Sequence, residues 1–331
     1  MVGLDELGGA SCGVWSRRDA LTVVSKDVIT RLLADGIWQR PWPGVLADGG
    51  FCLSDLQVAV ATNLASGGSL GGSLPAEQPA SARTAVTCGR SAARVLGVPL
   101  IDDDDPATGA HDAQHHDVAV WNRTRALVRD DGQVLHRHRL ALARTDVGRH
   151  VSGLWITTHV RTLWDLTSLV SHEALVCAID HCLHRGTVTE EALRAYAATH
   201  RHHASYEAFV RALDLSDGRA ESPAETLARL LLLPVLPDLV PQVRVFVRDR
   251  LVAVLDLADE DLLLAVEVDG KRGHAGEEMA AKDRRRDTTT ADQGWWTERV
   301  TWYELRCRQE DVVRRVMQAA ARLRRQRPGV R

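Results

Sequence analysis

The sequence contains no run of about 18 apolar residues, and its opening stretch, MVGLDELGGAS, has no basic segment followed by an apolar one. Neither a membrane span nor an export signal is therefore expected, and the cytoplasm is the expected compartment. No CxxC pair occurs among the six cysteines, Cys12, Cys52, Cys88, Cys177, Cys182 and Cys307. That spacing argues against a zinc knuckle or a disulfide framework and for buried, reduced thiols. An HExxH motif is also missing. His111, His115, His116, His136 and His138 do not fall into a ligand pattern with carboxylates, and His200, His202 and His203 sit in a polar stretch between helices, so a histidine metal site is not expected. Nor is there an excess of charge of one sign: 41 Lys+Arg against 44 Asp+Glu leave a net charge of -3, which does not mark the whole molecule as a polyanion binder.

What is present is enough apolar residue for real cores. Hydrophobic residues make up 45% and charged residues 26% of 331, a globular composition long enough for two or three domains. Charge is distributed unevenly. The chain before Gly270 is acidic, with its extreme at Asp102 to Asp105, whereas after it sixteen Lys/Arg face nine Asp/Glu. A basic C-terminal third suits phosphate contacts, and equally suits solvated helix faces.

The segment GVWSRRDALTVVSKDVITRLLADGIWQRPWPGVLADG reads as two short helices, a turn and a hairpin. Ser16 and Ser25 are N-cap candidates, Ile29, Leu32 and Leu33 form an apolar face, and Gly36 stands where a helix stops. This order is that of a winged helix-turn-helix, expected over residues 10–50. Lys26, Thr30 and Arg31 would occupy the outer face of its second helix, with Arg40 and Trp42 in the wing. The alternative is a small packing module whose charges meet only water. Residues 51–84, with ASGGSLGGSLPAEQPASAR, read as a flexible linker. Residues 85–218 read as a mixed α+β middle domain: DVAVWN, QVLHRHRLAL and LWITTH alternate as strands, LWDLTSLVSHEALVCAIDHCLHRG has helical spacing with a stop at Gly186, and another helix starts near Thr189.

Residues 219–327 carry the chemistry. In ESPAET, Ser222 is a cap, Pro223 takes the first helical position and Glu225 completes a capping box. Strands QVRVFV, RLVAVLDLA and LLLAVEVDG follow, then a helix from about Glu277 to Gln293, a strand ending RVTW and a last helix to about Arg325, giving the order αβββαβα. Asp256 ends one apolar strand, and Glu267 and Asp269 end the next. An ionised carboxylate on an apolar strand costs several kcal/mol unless it is paired or coordinates a cation. Strand alternation puts Glu267, Asp269 and, if the strand continues, Lys271 on one face. These carboxylates suit Mg²⁺ or Mn²⁺, which activates water for attack on a phosphodiester, with Lys271 and His274 placed to stabilise charge or move protons. A salt-bridge network with KDRRRD would satisfy the same acids without metal. Arg284, Arg285 and Arg286 fit pairing with acids, DNA phosphates or solvent alike, and Trp295, Trp296 and Trp302 are expected in the core.

Taken in order, ESPAET, VLDLA, LAVEVDGKRGH, KDRRRDTTTADQGW and RVTWYEL resemble proteins whose C-terminal domain is related to the very-short-patch-repair (Vsr) endonucleases of the PD-(D/E)xK nuclease fold. WQRPWPGVL, TCGRSAARVLGV and THVRTLWDL resemble AbiEi-type antitoxins and transcriptional regulators. The two similarities span nearly the whole chain. They imply an α+β multidomain protein with a C-terminal α/β restriction-endonuclease-like domain. Asp256 and Glu267 are then metal ligands, Asp269 a further acid, Glu225 the acid of the first helix, and His274 the histidine after the DG turn. The sequence departs from the pattern at the lysine two residues after the acid, where it has Asp269; Lys271 lies two residues further on. Three functions follow as expectations: a Mg²⁺-dependent DNA endonuclease or nickase, a DNA-binding regulator or antitoxin of a type IV toxin-antitoxin-like system with a cognate toxin as partner, and a protein-interaction module.

Overall fold

The computed structural model describes residues 12–50, 52–70, 85–103, 114–120, 126–269 and 288–326, and is α+β throughout. Lys271, His274, Arg284, Arg285 and Arg286 lie outside the described residues. The chain divides into two compact units, Met1–Leu100 with Ala113–Val170 and Ala195–Phe209, and Ile101–Asp112 with Ser171–Arg194 and Val210–Arg331.

The first unit opens with β1 (Val14–Ser16), α1 (Arg17–Val23), α2 (Lys26–Ala34), β2 (Trp38–Gln39) and β3 (Val45–Asp48), whose strands form an antiparallel sheet in the order β1-β3-β2. Ser16 Oγ accepts the Asp19 N–H at 3.0 Å and Ser25 Oγ that of Val28 at 3.4 Å, so each helix begins on its own cap. Val24 between them is extended, which ends α1 after two turns. Gly36 has φ +68, a left-handed conformation that costs glycine little. Trp15, Ala20, Ile29, Trp38 and Leu46 close the core beneath the helices, with Leu32 and Leu33 at its edge.

Helix α3 (Asp55–Ala65) follows, inside the segment read as linker. Ala59, Val60, Ala61, Thr62 and Asn63 are buried in succession, so the helix has no polar face and no amphipathic period to read. The rest of the unit is a six-stranded mixed sheet in the order β6-β7-β5-β4-β9-β8: β4 (Ala85–Thr87), β5 (His115–Val120), β6 (Leu127–Val128), β7 (Val134–His138), β8 (Val147–Arg149) and β9 (Trp155–Thr157). Helices α4 (Gly89–Val95) and α5 (His159–Leu166) complete it. Val60, Val118, Leu135 and Leu154 are at the centre of the apolar core. The long helical stretch expected from LWDL onward is interrupted: α5 stops at Leu166, and α6 (His172–His184), in the second unit, starts on the Ser171 cap.

Helices α7 (Glu190–Thr199) and α8 (Tyr206–Asp214) carry the chain onward to α9 (Pro223–Leu232) of the second unit. A four-stranded sheet follows in the order β10-β11-β12-β13: β10 (Val240–Val247), β11 (Arg250–Asp259), β12 (Leu264–Asp269) and β13 (Trp296–Thr301). The first three strands are antiparallel neighbours, and β13 joins β12 in parallel. The chain ends in two helices, α10 (Trp302–Cys307) and α11 (Gln309–Gln326), where the sequence suggests one; Arg308, at φ -139 and ψ 43, breaks the turn between them. Among the described residues no helix is long and apolar enough to cross a membrane. All six cysteines are free; Cys88, Cys177 and Cys182 are buried as expected, but Cys12, Cys52 and Cys307 are exposed.

Candidate functional site

Strands β11 and β12 pair through Leu257↔Val266, Ala258↔Ala265 and Asp259↔Leu264. One further step of that register sets Asp256 opposite Glu267, and residues opposite one another on antiparallel neighbours project to the same face. The ladder opens at this step. Val268 donates its N–H to Asp256 Oδ2 at 2.8 Å, so the carboxylate stands in for a backbone acceptor between the parting strands. Glu267 is buried, Asp256 half-buried and Asp269 exposed. Alternation keeps Asp269 on the face of Glu267, one pleat nearer the strand end.

On the other side of β12, Glu267 is in register with Arg299 of β13 and Asp269 with Thr301. A guanidinium is thus carried on the strand next to the buried acid. The sequence reading considers KDRRRD, which lies outside the described residues, and not Arg299, because a parallel partner 32 residues away leaves no local signal. Arg299 is itself tied down from α11, where Arg315 Nη2 donates to its carbonyl at 2.7 Å.

Glu225 is taken up by structure. Its Oε1 accepts from Ser222 Oγ at 2.8 Å, and its Oε2 accepts from Glu221 N at 2.9 Å and Gln242 Nε2 at 3.0 Å. Ser222 Oγ accepts the Glu225 N–H at 3.2 Å, so the cap read from the sequence is present, but the Glu225 carboxylate returns to the Glu221 N–H and not to that of Ser222, and it in addition ties α9 to β10. Two carboxylates with water and phosphate oxygens meet the needs of Mg²⁺, so Asp256 and Glu267 fit that ion. Among the described residues no group of three or more His, Cys, Asp or Glu is gathered to hold a metal.

In the first unit, Lys26, Thr30 and Arg31 are all exposed on α2, and Arg40 is exposed after β2. Thr30 Oγ1 turns back to donate to the Lys26 carbonyl at 3.0 Å. The acids Asp27 and Asp35 are exposed on the same segment, so its charge is mixed. Trp42 departs from the wing reading. It is buried at 2% exposure, with the Arg129 guanidinium 5.7 Å from its ring centroid and the edge of His116 against it. Arg129 Nη1 also donates to the Pro41 carbonyl at 2.6 Å. The hairpin loop is therefore anchored through Trp42, and only Arg40 remains outward.

Sequence reasoning misses a buried polar system in the first unit. Asp117 of β5 is fully buried and accepts from Arg90 Nε at 2.8 Å, Arg90 Nη2 at 3.1 Å and His138 Nε2 at 2.7 Å. On α5, Arg161 Nε donates to Asp165 Oδ1 at 2.8 Å and Nη1 to Asp146 Oδ2 at 3.1 Å. The one signal for it in the sequence is an Arg and an Asp four residues apart on the core-facing side of THVRTLWDL, where an amphipathic helix carries apolar residues. The second unit has a matching feature in Asp180, which accepts from Arg229 Nη2 and Thr226 Oγ1, both at 2.8 Å.

Comparison of the chain with protein-family models gives no match, and neither does comparison with curated proteins.

Proposed function

We propose that the chain is a DNA-binding protein whose C-terminal sheet forms a Mg²⁺- or Mn²⁺-dependent phosphodiesterase site, acting as a DNA endonuclease or nickase. The observation that carries this reading is that Asp256 and Glu267 each lie one residue beyond Leu257↔Val266, the last β11–β12 ladder pair, with Asp256 accepting the Val268 N–H. Two carboxylates brought this near each other, one buried and one half-buried, suit a cation shared between them. Asp256 and Glu267 would hold the ion, which would polarise a phosphoryl oxygen and lower the pKa of a water there. Asp256, held by the Val268 N–H, and Glu267 orient the site; Asp269 adds a carboxylate at its solvent edge. Lys271 stabilises charge on the phosphate in place of the lysine absent at position 269, and His274 moves the proton. Arg284, Arg285 and Arg286 grip the phosphodiester backbone.

The protein is brought to DNA by residues 10–50 of the first unit, read as a winged helix-turn-helix like that of AbiEi-type proteins. Lys26, Thr30 and Arg31 enter the major groove from α2, and Arg40 meets the backbone. Their shared exposure on one helix and the following hairpin supports this reading.

A specific observation favours a second reading, a transcriptional regulator or antitoxin with a cognate toxin partner and a degenerate nuclease fold. Arg299 stands beside Glu267 in the sheet, and Asp269 occupies the lysine position. The two readings separate in one assay. Wild type is incubated with supercoiled, linear and single-stranded DNA in Mg²⁺ or Mn²⁺, beside Asp256→Asn and Glu267→Gln. Metal-dependent cleavage that falls by at least about a hundredfold in both variants is expected for an endonuclease. Binding without cleavage of any form in either metal leaves the regulator.

A further inference from the structure

Away from both sites, the first unit holds a cavity of about 90 Å³ that is partly open to solvent. Cys88, His138, Arg161, Trp164, Asp165 and His203 contribute to its wall. Charge around it does not balance. Arg161 is shared by two carboxylates, Asp165 and Asp146, each 7% exposed or less at the side chain. Asp146 is further satisfied by Tyr196 OH at 3.0 Å and the Ala143 N–H at 2.8 Å. Asp165 is not. Its Oδ1 takes the Arg161 Nε, whereas among the described residues its Oδ2 has no hydrogen-bond partner. The neighbouring Arg90 and His138 are already committed to Asp117. A buried carboxylate oxygen left without a donor costs more than a satisfied one returns, so a cavity-lining residue that carries such an atom is a place for a ligand's donor.

We propose that this cavity binds a small organic cation, a primary ammonium or an amidinium, which donates an N–H to Asp165 Oδ2 and lies against the Trp164 ring. The positive charge supplies the second cation that the pair of carboxylates lacks, and the indole face favours it further. The cavity's size restricts the ligand to a small head group on a short chain. Burial raises the Asp165 carboxyl to about 6 against the pull of Arg161, so the acid is ionised and receptive only above that range. The other groups facing it are Arg161 on its own helix, Asp146 before β8, His138 on β7, Cys88 before α4 and His203 before α8. Cys88 stays a neutral thiol, because burial pushes it well up.

The test is calorimetric titration of the full chain with n-butylammonium and with methylguanidinium, using n-butanol as the neutral isostere, at about pH 8 and about pH 5. Saturable binding of at least one cation at the higher pH is expected, weakened at least about tenfold at the lower pH and in Asp165→Asn, with none for the alcohol. Ser168→Phe, at an exposed position on the cavity wall, fills the mouth and abolishes binding while the protein stays folded, and it carries the test should Asp165→Asn fail to fold. No saturable binding of either cation by wild type, equal affinity in a folded Asp165→Asn, or equal uptake of butanol overturns the proposal.

Discussion

Val268, two residues past the last ladder pair of β11 and β12, Leu257↔Val266, gives its backbone N–H to the side chain of Asp256 at 2.8 Å. The same carboxylate is therefore a structural acceptor and the first acid of the candidate site, and substitutions there separate the two roles. Asp256→Ala leaves the Val268 donor unsatisfied and should cost about 1–3 kcal/mol in urea unfolding. Asp256→Asn keeps an acceptor oxygen and should cost less than about 1 kcal/mol. Equal losses in the two variants would show that the Val268 contact does not hold the strands.

Trp42 and Lys26 should divide in the same manner between folding and DNA. Trp42→Ala removes a buried indole and is expected to cost about 3–5 kcal/mol, seen in a thermal melt. Lys26→Ala with Arg31→Ala should leave the melt unchanged and, in a mobility-shift series, lower the slope of log affinity against log salt by about 1 for each of the two cations that meets a phosphate at the edge of the groove. An unchanged slope would remove α2 from the DNA surface.

Much of this division is legible in the sequence. Ser16, Ser25 and Ser222 mark helix starts because a hydroxyl followed by the right spacing is a local device, and each one caps its helix. The four C-terminal strands are equally plain from their apolar runs, and Asp269 does end β12, but Asp256, expected at a strand end, lies inside β11, which continues to Asp259. What the sequence does not reveal is set by distant partners. Helix α3 buries five successive residues, Ala59 to Asn63, and so carries no amphipathic period. Trp42 looks like a wing residue until Arg129, far along the chain, covers it. Arg299 becomes the neighbour of Glu267 only through a parallel pairing, and Asp165 is short of a donor only because Arg161 is shared with Asp146.

Asp117 makes stability depend on acid. Burial alone pushes its carboxyl up, but the hydrogen bonds from His138 and Arg90 outweigh burial and hold it far below the ordinary value of 3.8. A folded-state pKa below the unfolded one contributes stability that is present above about 4 and lost as pH falls toward the depressed value. Asp117→Asn should therefore flatten the fall in melting temperature below about pH 4. An unaltered acid limb in the variant would place that dependence elsewhere.

Asp165 has the opposite sign. Its folded pKa, raised by burial to about 6, lies above the unfolded one, so its contribution is complete below about 4 and is lost as pH rises through about 6. Melting curves of Asp165→Asn, which cannot ionise, should lack that decline between about pH 4 and 7. A wild-type decline of the same size in the variant would contradict this assignment.

In the second unit, Arg229→Met strands Asp180 without its guanidinium and is expected to cost about 3–5 kcal/mol in urea unfolding. Adding Asp180→Asn should recover part of that loss, since the uncompensated charge is gone. A double variant as unstable as the single one would mean that packing, not charge, sets the cost.

The central claim is that Asp256 and Glu267 share one dication, and calorimetric titration of the folded chain with Mn²⁺ tests it most directly. Wild type should bind one ion, with affinity reduced at least about tenfold in Asp256→Asn and in Glu267→Gln. Binding unchanged in both variants, or no binding by wild type, would contradict it.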